Sequence, residues 1–360
     1  MTRPTDIREL RCFAARSPLS RPIADATHVI PAIEFVVCEI ELRNGVVGQS
    51  YLLAFHYSPR GIRGVLRDLA DFARGRDAAA TQPFIRDWNR ETEYFGQEGL
   101  QRWALGLANV AMWDAHARTL DVPVWRLLGG EARAVPVYGS GGWLSYSDDE
   151  LVDEVRGYAK RGFRAVKVKV GAPEPGRDLA RLRLVREAVG PHVRIMMDAN
   201  QGMRVPEALE LALASRDIGI GWFEEPIDHR DFDGYASLRA RAGVALAMGE
   251  REYDLVPLRE LLARNALDLW QPDLLRLGSV EAWRDSAALA AAHAVPVLPH
   301  YYRDYDVPLL CTVANAYGAE SFDWIDAIVD VPMRVENGLA RPRETAGWGF
   351  RFQPSALTAL

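Results

Sequence analysis

The spacing of hydrophobic and polar positions differs between two parts of the chain. Residues 33–42 alternate and are rich in Val and Ile, Asn44-Gly45 follows, and residues 46–53 are again apolar. Two such runs joined by Asn-Gly predict an antiparallel hairpin. A helical period of apolar residues then runs over residues 100–120. The first 130 or so residues therefore predict an α+β domain.

From residue 135 onward, short β-rich runs alternate with amphipathic helical stretches. The runs cover residues 135–138, 165–170, 193–198, 221–224, 245–250, 267–273, 295–300 and 321–324. Helical stretches between them include residues 148–161, 178–189, 206–216 and 279–293. Eight strands separated by helices predict a parallel β/α barrel. The segment is somewhat short for eight full units, so we expect one helix to be missing or short. The last 30 residues are expected to fold back onto the N-terminal domain.

Polar residues close six consecutive β-rich runs. They are Lys169, Asp198, Glu224, Glu250, Asp273 and His300, at intervals of 29, 26, 26, 23 and 27 residues. Each interval is close to the length of one strand–helix unit. The carboxyl ends of barrel strands meet at one face, where active sites lie. The spacing therefore predicts that these six side chains converge on one cavity.

Three of the six residues, Asp198, Glu224 and Glu250, are carboxylates from adjacent strands. A single acid at a strand end is more often a helix cap or part of a surface ion pair. Three converging carboxylates would repel one another, and some would have to protonate unless a cation lay between them. Ligation by oxygen alone favours Mg²⁺, with Mn²⁺ as a substitute, over zinc.

Composition draws attention to the run at residues 165–170. Only three of the 43 basic residues are lysine, namely Lys160, Lys167 and Lys169. Lys167 and Lys169 alternate with valines and so share one face of the strand. They would point to solvent in a half-exposed strand, but helices cover the outside of a barrel, which favours the interior. Two neighbouring ammonium groups lower each other's pKa, which would make a lysine a usable base, whereas arginine keeps its proton.

His300 and Asp273 end neighbouring strands. An Asp beside a His fixes the tautomer of the imidazole and raises its basicity. A lone His after Pro299 would more often be structural, but its place in the series favours a catalytic role. A Ser-His-Asp hydrolase is not supported, because no GxSxG motif occurs.

Charge and composition exclude other classes of partner. The net charge is -6 and no basic block occurs, so no nucleic-acid partner is expected. No run of about 18 apolar residues predicts a membrane helix. No signal peptide is evident, so the expected location is the cytoplasm. Three scattered cysteines, Cys12, Cys38 and Cys311, form no CxxC pair and fit reduced thiols.

One metal, a lysine base and a His-Asp base together suit removal of the proton next to a carboxylate. That step makes a dianionic enediolate, whose charge a metal ion and an ammonium group can offset. The two bases lie on the second and seventh strands and could approach a substrate from opposite faces. Such a site can racemise a centre. It can also take a proton with one base while the other expels a β-hydroxyl.

Over nearly its whole length the chain resembles the mandelate racemase subgroup of the enolase superfamily. The motifs that carry the resemblance include Trp113-Asp114, Leu127-Leu128-Gly129-Gly130, Asp198-Ala199-Asn200-Gln201, Phe223-Glu224-Glu225-Pro226, Met248-Gly249-Glu250, Gln271-Pro272-Asp273 and His300. The resemblance implies an α/β fold, a modified TIM barrel of (β/α)7β type, with an α+β capping domain. The capping domain would comprise residues 1–130 and the C-terminal segment 329–360, and the barrel residues 131–328.

The resemblance also implies roles for individual residues. Asp198, Glu224 and Glu250 would hold one Mg²⁺, Lys169 would be one base, and Lys167 would assist at the substrate carboxylate. His300, oriented by Asp273, would be the opposite base or acid, and Asn200 and Ser140 match positions near the substrate. The family further implies a homo-oligomer, from dimer to octamer, and a small-molecule carboxylate substrate.

Three departures from the family pattern matter. Relatives with two lysine bases carry a lysine after the strand-six Asp, where this chain has Leu274-Leu275-Arg276, so the muconate-cycloisomerase type of site is not expected. The strand-eight Glu of mandelate racemase is matched by Asp323, at an interval from His300 that is about three residues longer. The capping loop, apolar in mandelate racemase, contains Asp25, Thr27 and His28 here. After His300, Arg303 could meet a distal carboxylate or hydroxyl.

The leading hypothesis is a Mg²⁺-dependent dehydratase that converts an acid sugar or related polyhydroxy acid to a 2-keto product. The alternative is a racemase or epimerase of a 2-hydroxy acid. A third hypothesis, a barrel that binds a carboxylate without turnover, is disfavoured because the predicted ligands and bases form a complete set.

Overall fold

The N-terminal region is an antiparallel sheet covered by helices. A computed structural model describes residues 2–55, 59–174 and 176–360. The first elements, in chain order, are β1 (Ile7–Ser17), β2 (Ile23–Ala24), β3 (Val29–Ile30), β4 (Ile33–Leu42), β5 (Val47–Phe55), α1 (Arg60–Ala73), α2 (Thr81–Thr92), α3 (Leu100–Thr119) and α4 (Val124–Leu127). β4 pairs with β5 and with β1, all antiparallel. The predicted hairpin is confirmed, and Gly45 takes a positive φ of 82° in its turn.

The second part of the chain alternates strand and helix as predicted. Its elements are β6 (Val135–Gly141), α5 (Asp148–Lys160), β7 (Ala165–Lys169), α6 (Arg177–Val189), β8 (Arg194–Asp198), α7 (Val205–Ala214), β9 (Ile220–Glu224), α8 (Phe232–Arg241), β10 (Ala245–Met248), α9 (Val256–Ala263), β11 (Leu269–Trp270), α10 (Leu274–Leu277), α11 (Val280–Ala292), α12 (Arg303–Leu310) and β12 (Ala319–Ser321). Four of these helices, α5, α8, α10 and α11, begin with a side-chain cap. Ser147 and Glu150 form a capping box at the start of α5.

Parallel pairing closes these strands into a barrel. β6 to β11 are neighbours in chain order. The seventh position is reduced to bridges from Val297 to Trp270 and to Ala316, and β12 then pairs with β6. Seven strand–helix units followed by a final strand confirm the predicted (β/α)7β barrel. The predicted eighth strand was misplaced, because β12 begins at Ala319 rather than at residue 321.

Helix α3 lies between the N-terminal sheet and the barrel and is buried along most of its length. Its Gly106 faces α10, where a Cβ atom would lie 2.7 Å from the carbonyl oxygen of Leu275. Only glycine allows this approach. The approach places the first turn of α3, with Trp103, above the carboxyl ends of the barrel strands.

Residues after the barrel return to the N-terminal sheet. The remaining strands are β13 (Val335–Glu336), β14 (Leu339–Ala340) and β15 (Thr358–Ala359). β15 pairs with β1, and the backbone N–H of Phe352 donates to the side-chain oxygen of Gln49 at 3.1 Å. These contacts agree with the expected return, while the boundaries at residues 130 and 328 stay predictions. Across the three described ranges, no helix is both long and apolar enough to cross a membrane.

Candidate active site

A cavity of about 550 Å³ lies at the carboxyl ends of the barrel strands. The barrel contributes charged and amide side chains to its wall, namely Lys167, Lys169, Asn200, Glu250, Arg251, Asp273, Arg276, His300 and Glu320. The N-terminal region covers it with the loop around Asp25 and His28, with the end of β5 and with Trp103 of α3. Four of the six predicted strand-end residues, Lys169, Glu250, Asp273 and His300, therefore line one cavity, and Asp198 lies behind it in contact with Lys169. Glu224 lies just behind it, in contact with Lys167.

The two lysines of β7 point into the barrel and are buried. Lys167 donates to Glu224, and its ammonium nitrogen lies 2.7 Å from Glu320 Oε1. Lys169 donates to Asp198 Oδ2 at 2.6 Å. Burial lowers the pKa of each lysine, but neighbouring carboxylates raise it more, so both pKa values lie above the ordinary value. The expectation that the two ammonium groups would bring their pKa values down is wrong for this arrangement, because acids outnumber them.

Asp198, Glu224 and Glu250 stand at the ends of β8, β9 and β10 and are buried. Burial, together with the nearby carboxylates, raises the pKa of Glu224 to about 7 despite its contact with Lys167. The pKa of Glu250 is lowered, because His300 and Arg251 outweigh its burial. The second oxygen of Glu224 accepts from Gln271 at 2.7 Å. These contacts hold the three acids in place, but the nearby cations do not neutralise all of their negative charge.

This donor set fits a hard divalent cation. All three side chains offer carboxylate oxygens, which Mg²⁺ prefers. Within the described residues, no three His, Cys, Asp or Glu side chains already enclose a metal position. Lys167 lies between Asp198 and Glu224 instead, 3.4 Å from Asp198 Oδ2. Burial and then the neighbouring carboxylates raise the pKa of Glu224, so added positive charge at this position would favour its ionised form.

His300 is held on the other side of the cavity. Its Nδ1 lies 2.9 Å from Asp273 Oδ2, and its Nε2 lies 3.3 Å from Glu250 Oε2. Burial lowers the pKa of His300, but Glu250 and Asp273 raise it to about 9. Asp273 is itself fixed, because it caps α10 by accepting from the backbone N–H of Arg276 at 2.8 Å. The imidazole is therefore oriented and readily protonated.

The strand-eight acid is Glu320, and the assignment of Asp323 was wrong. Glu320 lies in β12, lines the cavity, and its second oxygen accepts from the backbone N–H of Tyr301 at 2.9 Å. Asp323 lies beyond the strand, and its side chain is 44% exposed and paired with Arg161. The physical reason is the register, because the strand ends three residues earlier than the sequence pattern indicated. Glu320 also removes the excess of about three residues in the interval from His300.

Arg303 does not reach the cavity, contrary to the sequence prediction. Its guanidinium is buried and bonded to Ser321, Asp323 and Asp326. Ser140, in register with Lys167 on β6, is buried and does not line the cavity. Asn200 does line it, with its backbone N–H donating to Asp198 Oδ1 at 2.8 Å.

Sequence reasoning missed an aromatic wall beside the lysines, made of Trp143, Tyr301, Phe322 and Trp324. Phe322 and Trp324 are stacked with centroids 4.3 Å apart, and Trp143 stacks on Trp324 at 6.0 Å. The ammonium nitrogen of Lys169 lies 5.3 Å from the Trp143 ring centroid. A signal was present, because Trp143 and Phe322 follow the first and eighth strands.

Several non-glycine residues beside the cavity have left-handed backbone. Asn200, Gln201, Glu225 and Tyr301 have φ values of 42°, 65°, 36° and 68°. Each lies just beyond the end of a barrel strand or bridge. Such conformations are uncommon for Gln, Glu and Tyr, and less so for Asn, and they are held by their surroundings. Glu225, for example, is buried and accepts from Arg251 Nε at 3.2 Å.

A capped barrel whose strand ends carry three acids, a lysine pair and a His-Asp pair defines an enzyme class that acts beside a carboxylate. The comparisons assign the family. The chain matches the N-terminal domain of the mandelate racemase / muconate lactonizing enzyme family over residues 7–129 and the "Enolase C-terminal domain-like" family over residues 150–356. The protein is a member of this enolase-superfamily group and is an enzyme.

Named relatives agree with this assignment. The chain is 27% identical over 346 residues to L-talarate/galactarate dehydratase of Salmonella typhimurium, covering 94% of this chain and 87% of the relative. It is 31% identical over 271 residues to arabinonate dehydratase of Saccharolobus solfataricus, covering 75% and 73%. The crystal structure of the Salmonella enzyme with Mg and L-lyxarohydroxamate superposes with a TM-score of 0.92 at 26% identity, over 97% and 91% of the two chains. An enolase from Bradyrhizobium with magnesium and mandelic acid superposes with a TM-score of 0.91 at 27% identity, over 99% and 98%.

Proposed function

We propose that the protein removes the proton α to the carboxylate of an acid sugar and eliminates water to give a 2-keto acid. Asp198, Glu224 and Glu250 would hold one Mg²⁺, as their buried carboxylates and the raised pKa of Glu224 support. Bound there, the ion would supply positive charge for the enediolate that forms when the α-proton leaves. Two of the superposed relatives were crystallised with magnesium.

The protein side chains divide the remaining work. Lys169 would take the α-proton, and Lys167, held by Glu320, would contact the substrate carboxylate from the inner side. His300, oriented by Asp273, would donate a proton to the β-hydroxyl as its C–O bond breaks. The products are water and an enol, which becomes the 2-keto acid. The pKa of His300, raised to about 9, supports this role as the acid.

One observation favours dehydration of a polyhydroxy acid. Polar side chains of the capping loop, Asp25 and His28, line the cavity. Asp25 Oδ1 accepts from the backbone N–H groups of Thr27 and His28 at 2.7 Å each, which fixes the turn that presents the His28 ring. Such groups suit hydroxyls, which an apolar lid would leave without partners.

The test is incubation with a panel of aldonic and aldaric acids in the presence of Mg²⁺, scored for 2-keto products. Turnover by at least one acid, abolished by a chelator and restored by Mg²⁺, is expected. A His300→Asn variant should still exchange the α-proton with deuterated water while forming no keto acid. Failure of every acid, together with racemisation of a simple 2-hydroxy acid, would contradict the proposal.

The aromatic wall supports a second candidate. Trp143, Phe322 and Trp324 could contact an apolar substituent, as a racemase or epimerase of a 2-hydroxy acid would require. The Bradyrhizobium relative was crystallised with mandelic acid. Deuterium exchange at the α-carbon with inversion, and without loss of water, would select this candidate over dehydration.

A further inference from the structure

Arg276 is a cation of the cavity whose positive charge is not neutralised by a nearby acid. It lies in α10, three residues after Asp273, and lines the same cavity as Lys169 and His300. Lys167 and Lys169 are each paired with carboxylates, and Arg251 is paired with Glu225 and Glu250. Among the described residues, no carboxylate oxygen pairs with the guanidinium of Arg276, whose contacts are with two aromatic rings.

Those two rings hold the guanidinium in place. Its central carbon lies 5.4 Å from the centroid of Trp103 and 5.5 Å from that of Tyr253. Trp103 comes from α3 of the capping region, and Tyr253 follows β10 of the barrel. A ring that packs against the flat face of a guanidinium leaves the N–H groups at its edge able to donate hydrogen bonds. An arginine with free edges is the side chain best suited to bind a carboxylate with two parallel hydrogen bonds.

Two acids of an adjoining cavity do not neutralise this charge. Glu98 and Asp254 share with Arg276 the wall of an adjoining cavity of about 400 Å³. Both act on Arg102, whose pKa is lowered by burial and partly restored by these two acids. Neither pairs with Arg276. The guanidinium therefore stands between two cavities with a net charge that a ligand can neutralise.

We propose that Arg276 binds a second carboxylate, at the end of the substrate opposite to the one held near Lys167. This inference rests on the proposed function and narrows the substrate class from acid sugars in general to aldaric acids, which carry a carboxylate at both ends. Arg276 would thus contact the distal end of the substrate, a role that the sequence analysis had suggested for Arg303. Trp103 and Tyr253 are positioning residues for this contact.

The test separates recognition from turnover by using a Lys169→Ala background, which holds the acid without reacting. Calorimetry with Mg²⁺ present would compare galactarate, a diacid, with galactonate, the matching monoacid. In the background protein we expect galactarate to bind about 10- to 100-fold more tightly. Adding Arg276→Met should remove this preference, and adding Arg276→Lys should restore only part of it, because lysine keeps the charge without the fork.

A matched control removes an arginine that has no place in the cavity. Arg259 on α9 is 66% exposed and pairs only with its neighbour Glu260 among the described residues. Arg259→Met in the same background should leave the preference unchanged. Thermal unfolding of every variant distinguishes loss of the contact from loss of packing between the capping region and the barrel.

The possible outcomes each decide the question. Equal binding of diacid and monoacid, binding of neither, or an equal loss for both in Arg276→Met would overturn the inference. Wild-type protein that dehydrates only monoacids would also overturn it, while leaving the proposed dehydration intact. An Arg276-dependent preference for the diacid in a protein that dehydrates nothing would support the inference and contradict the proposed reaction.

Discussion

Two groups of buried charges lie side by side in this barrel, and they differ in their cation. The lysine cluster contains Lys167, Lys169, Asp198, Glu224 and Glu320 and opens onto the cavity. The arginine cluster contains Arg303, Asp304, Asp323, Asp326 and Arg343 and does not line it. Both are made of close ion pairs. Burial and pairing alone therefore do not identify an active site.

The difference lies in what each cation can do. A guanidinium keeps its proton at any pH at which the protein is folded and bonds several acids at once, which suits a fixed joint. Arg303 bonds Asp323 at 3.1 Å, and Arg343 bonds Asp304 at 2.6 Å. A lysine can exchange its proton when its surroundings change. Two of the three lysines in this chain, Lys167 and Lys169, lie in the proposed site, where a base that can release a proton is required.

The largest expected effect is on activity, at the lysine cluster. Lys169→Arg keeps the positive charge but cannot give up its proton, so we expect α-proton exchange to fall about 10³- to 10⁴-fold. NMR in deuterated water measures the exchange. Lys160→Arg, at an exposed position of α5, is the matched control and should leave the rate unchanged. Retained exchange in Lys169→Arg would exclude Lys169 as the base.

Substitutions in the arginine cluster are expected to lower the stability of the fold rather than the activity. Arg303→Met removes a buried cation that joins three aspartates and leaves the buried Asp304 with Arg343 alone, so we expect the free energy of unfolding to fall by about 3 kcal/mol. Urea unfolding measures this change. Arg161→Met, which removes the exposed partner of Asp323, should lower it by less than about 1 kcal/mol. A stable Arg303→Met protein with a raised KM would instead place Arg303 at the substrate.

A third pair of variants tests the assignment of the strand-eight acid. Glu320→Gln removes the negative charge that holds Lys167 toward the substrate carboxylate, so we expect kcat/KM to fall about 10²-fold. Asp323→Asn should change kcat/KM by less than about threefold, because its side chain faces Arg161 and Arg303 outside the cavity. Steady-state kinetics with the best substrate compares the two. The reverse order would return the role to Asp323.

The smallest effect concerns a buried acid that belongs to neither cluster. Glu154 accepts from the backbone N–H of Gly142 at 2.6 Å, and burial raises its pKa to about 7 from 4.5. The folded state then favours the protonated form. Its stabilisation is fully present below pH 4.5 and is lost as the pH rises through 7.

Glu154→Gln removes this pH dependence while keeping an oxygen that can accept from Gly142. We expect the variant to match the wild type at pH 4.5 and to exceed its free energy of unfolding by about 2 kcal/mol at pH 8. Urea unfolding at the two pH values measures the difference. A difference that is the same at both would show that Glu154 is not protonated in the folded protein.

The sequence predicted the barrel and the convergence of its strand ends because both follow from a repeated spacing. The six polar residues recur at intervals of 23 to 29 residues, which is close to the length of one strand–helix unit. They therefore fall at equivalent positions of successive strands. The sequence analysis did not identify Glu320, because β12 has only three residues, Ala319, Glu320 and Ser321. A run this short shows no hydrophobic period that would indicate where the strand begins and ends. The aromatic residues that follow it were taken as part of the strand.

The environment of each arginine was equally hidden from the sequence. Arg276 and Arg303 both follow a strand-end residue of the predicted series by three positions. Arg303 turns inward to three aspartates, and Arg276 lies between Trp103 and Tyr253. These partners are up to 173 residues away in the chain, so only the fold shows which guanidinium is already paired. The pKa direction of Lys167 was missed in part for a similar reason, since Glu320 was not counted among its neighbours.

The left-handed residues at the strand ends imply a conflict between durability and turnover. Glycine would adopt these positive φ angles with less strain than the four residues present, Asn200, Gln201, Glu225 and Tyr301. Asn200 and Tyr301 line the cavity, and Gln201 contacts Glu225, which pairs with Arg251 of the cavity wall, so the strain lies at and next to the proposed site. Selection for stability alone would be expected to replace these residues first. The most stable variants would then be the least active.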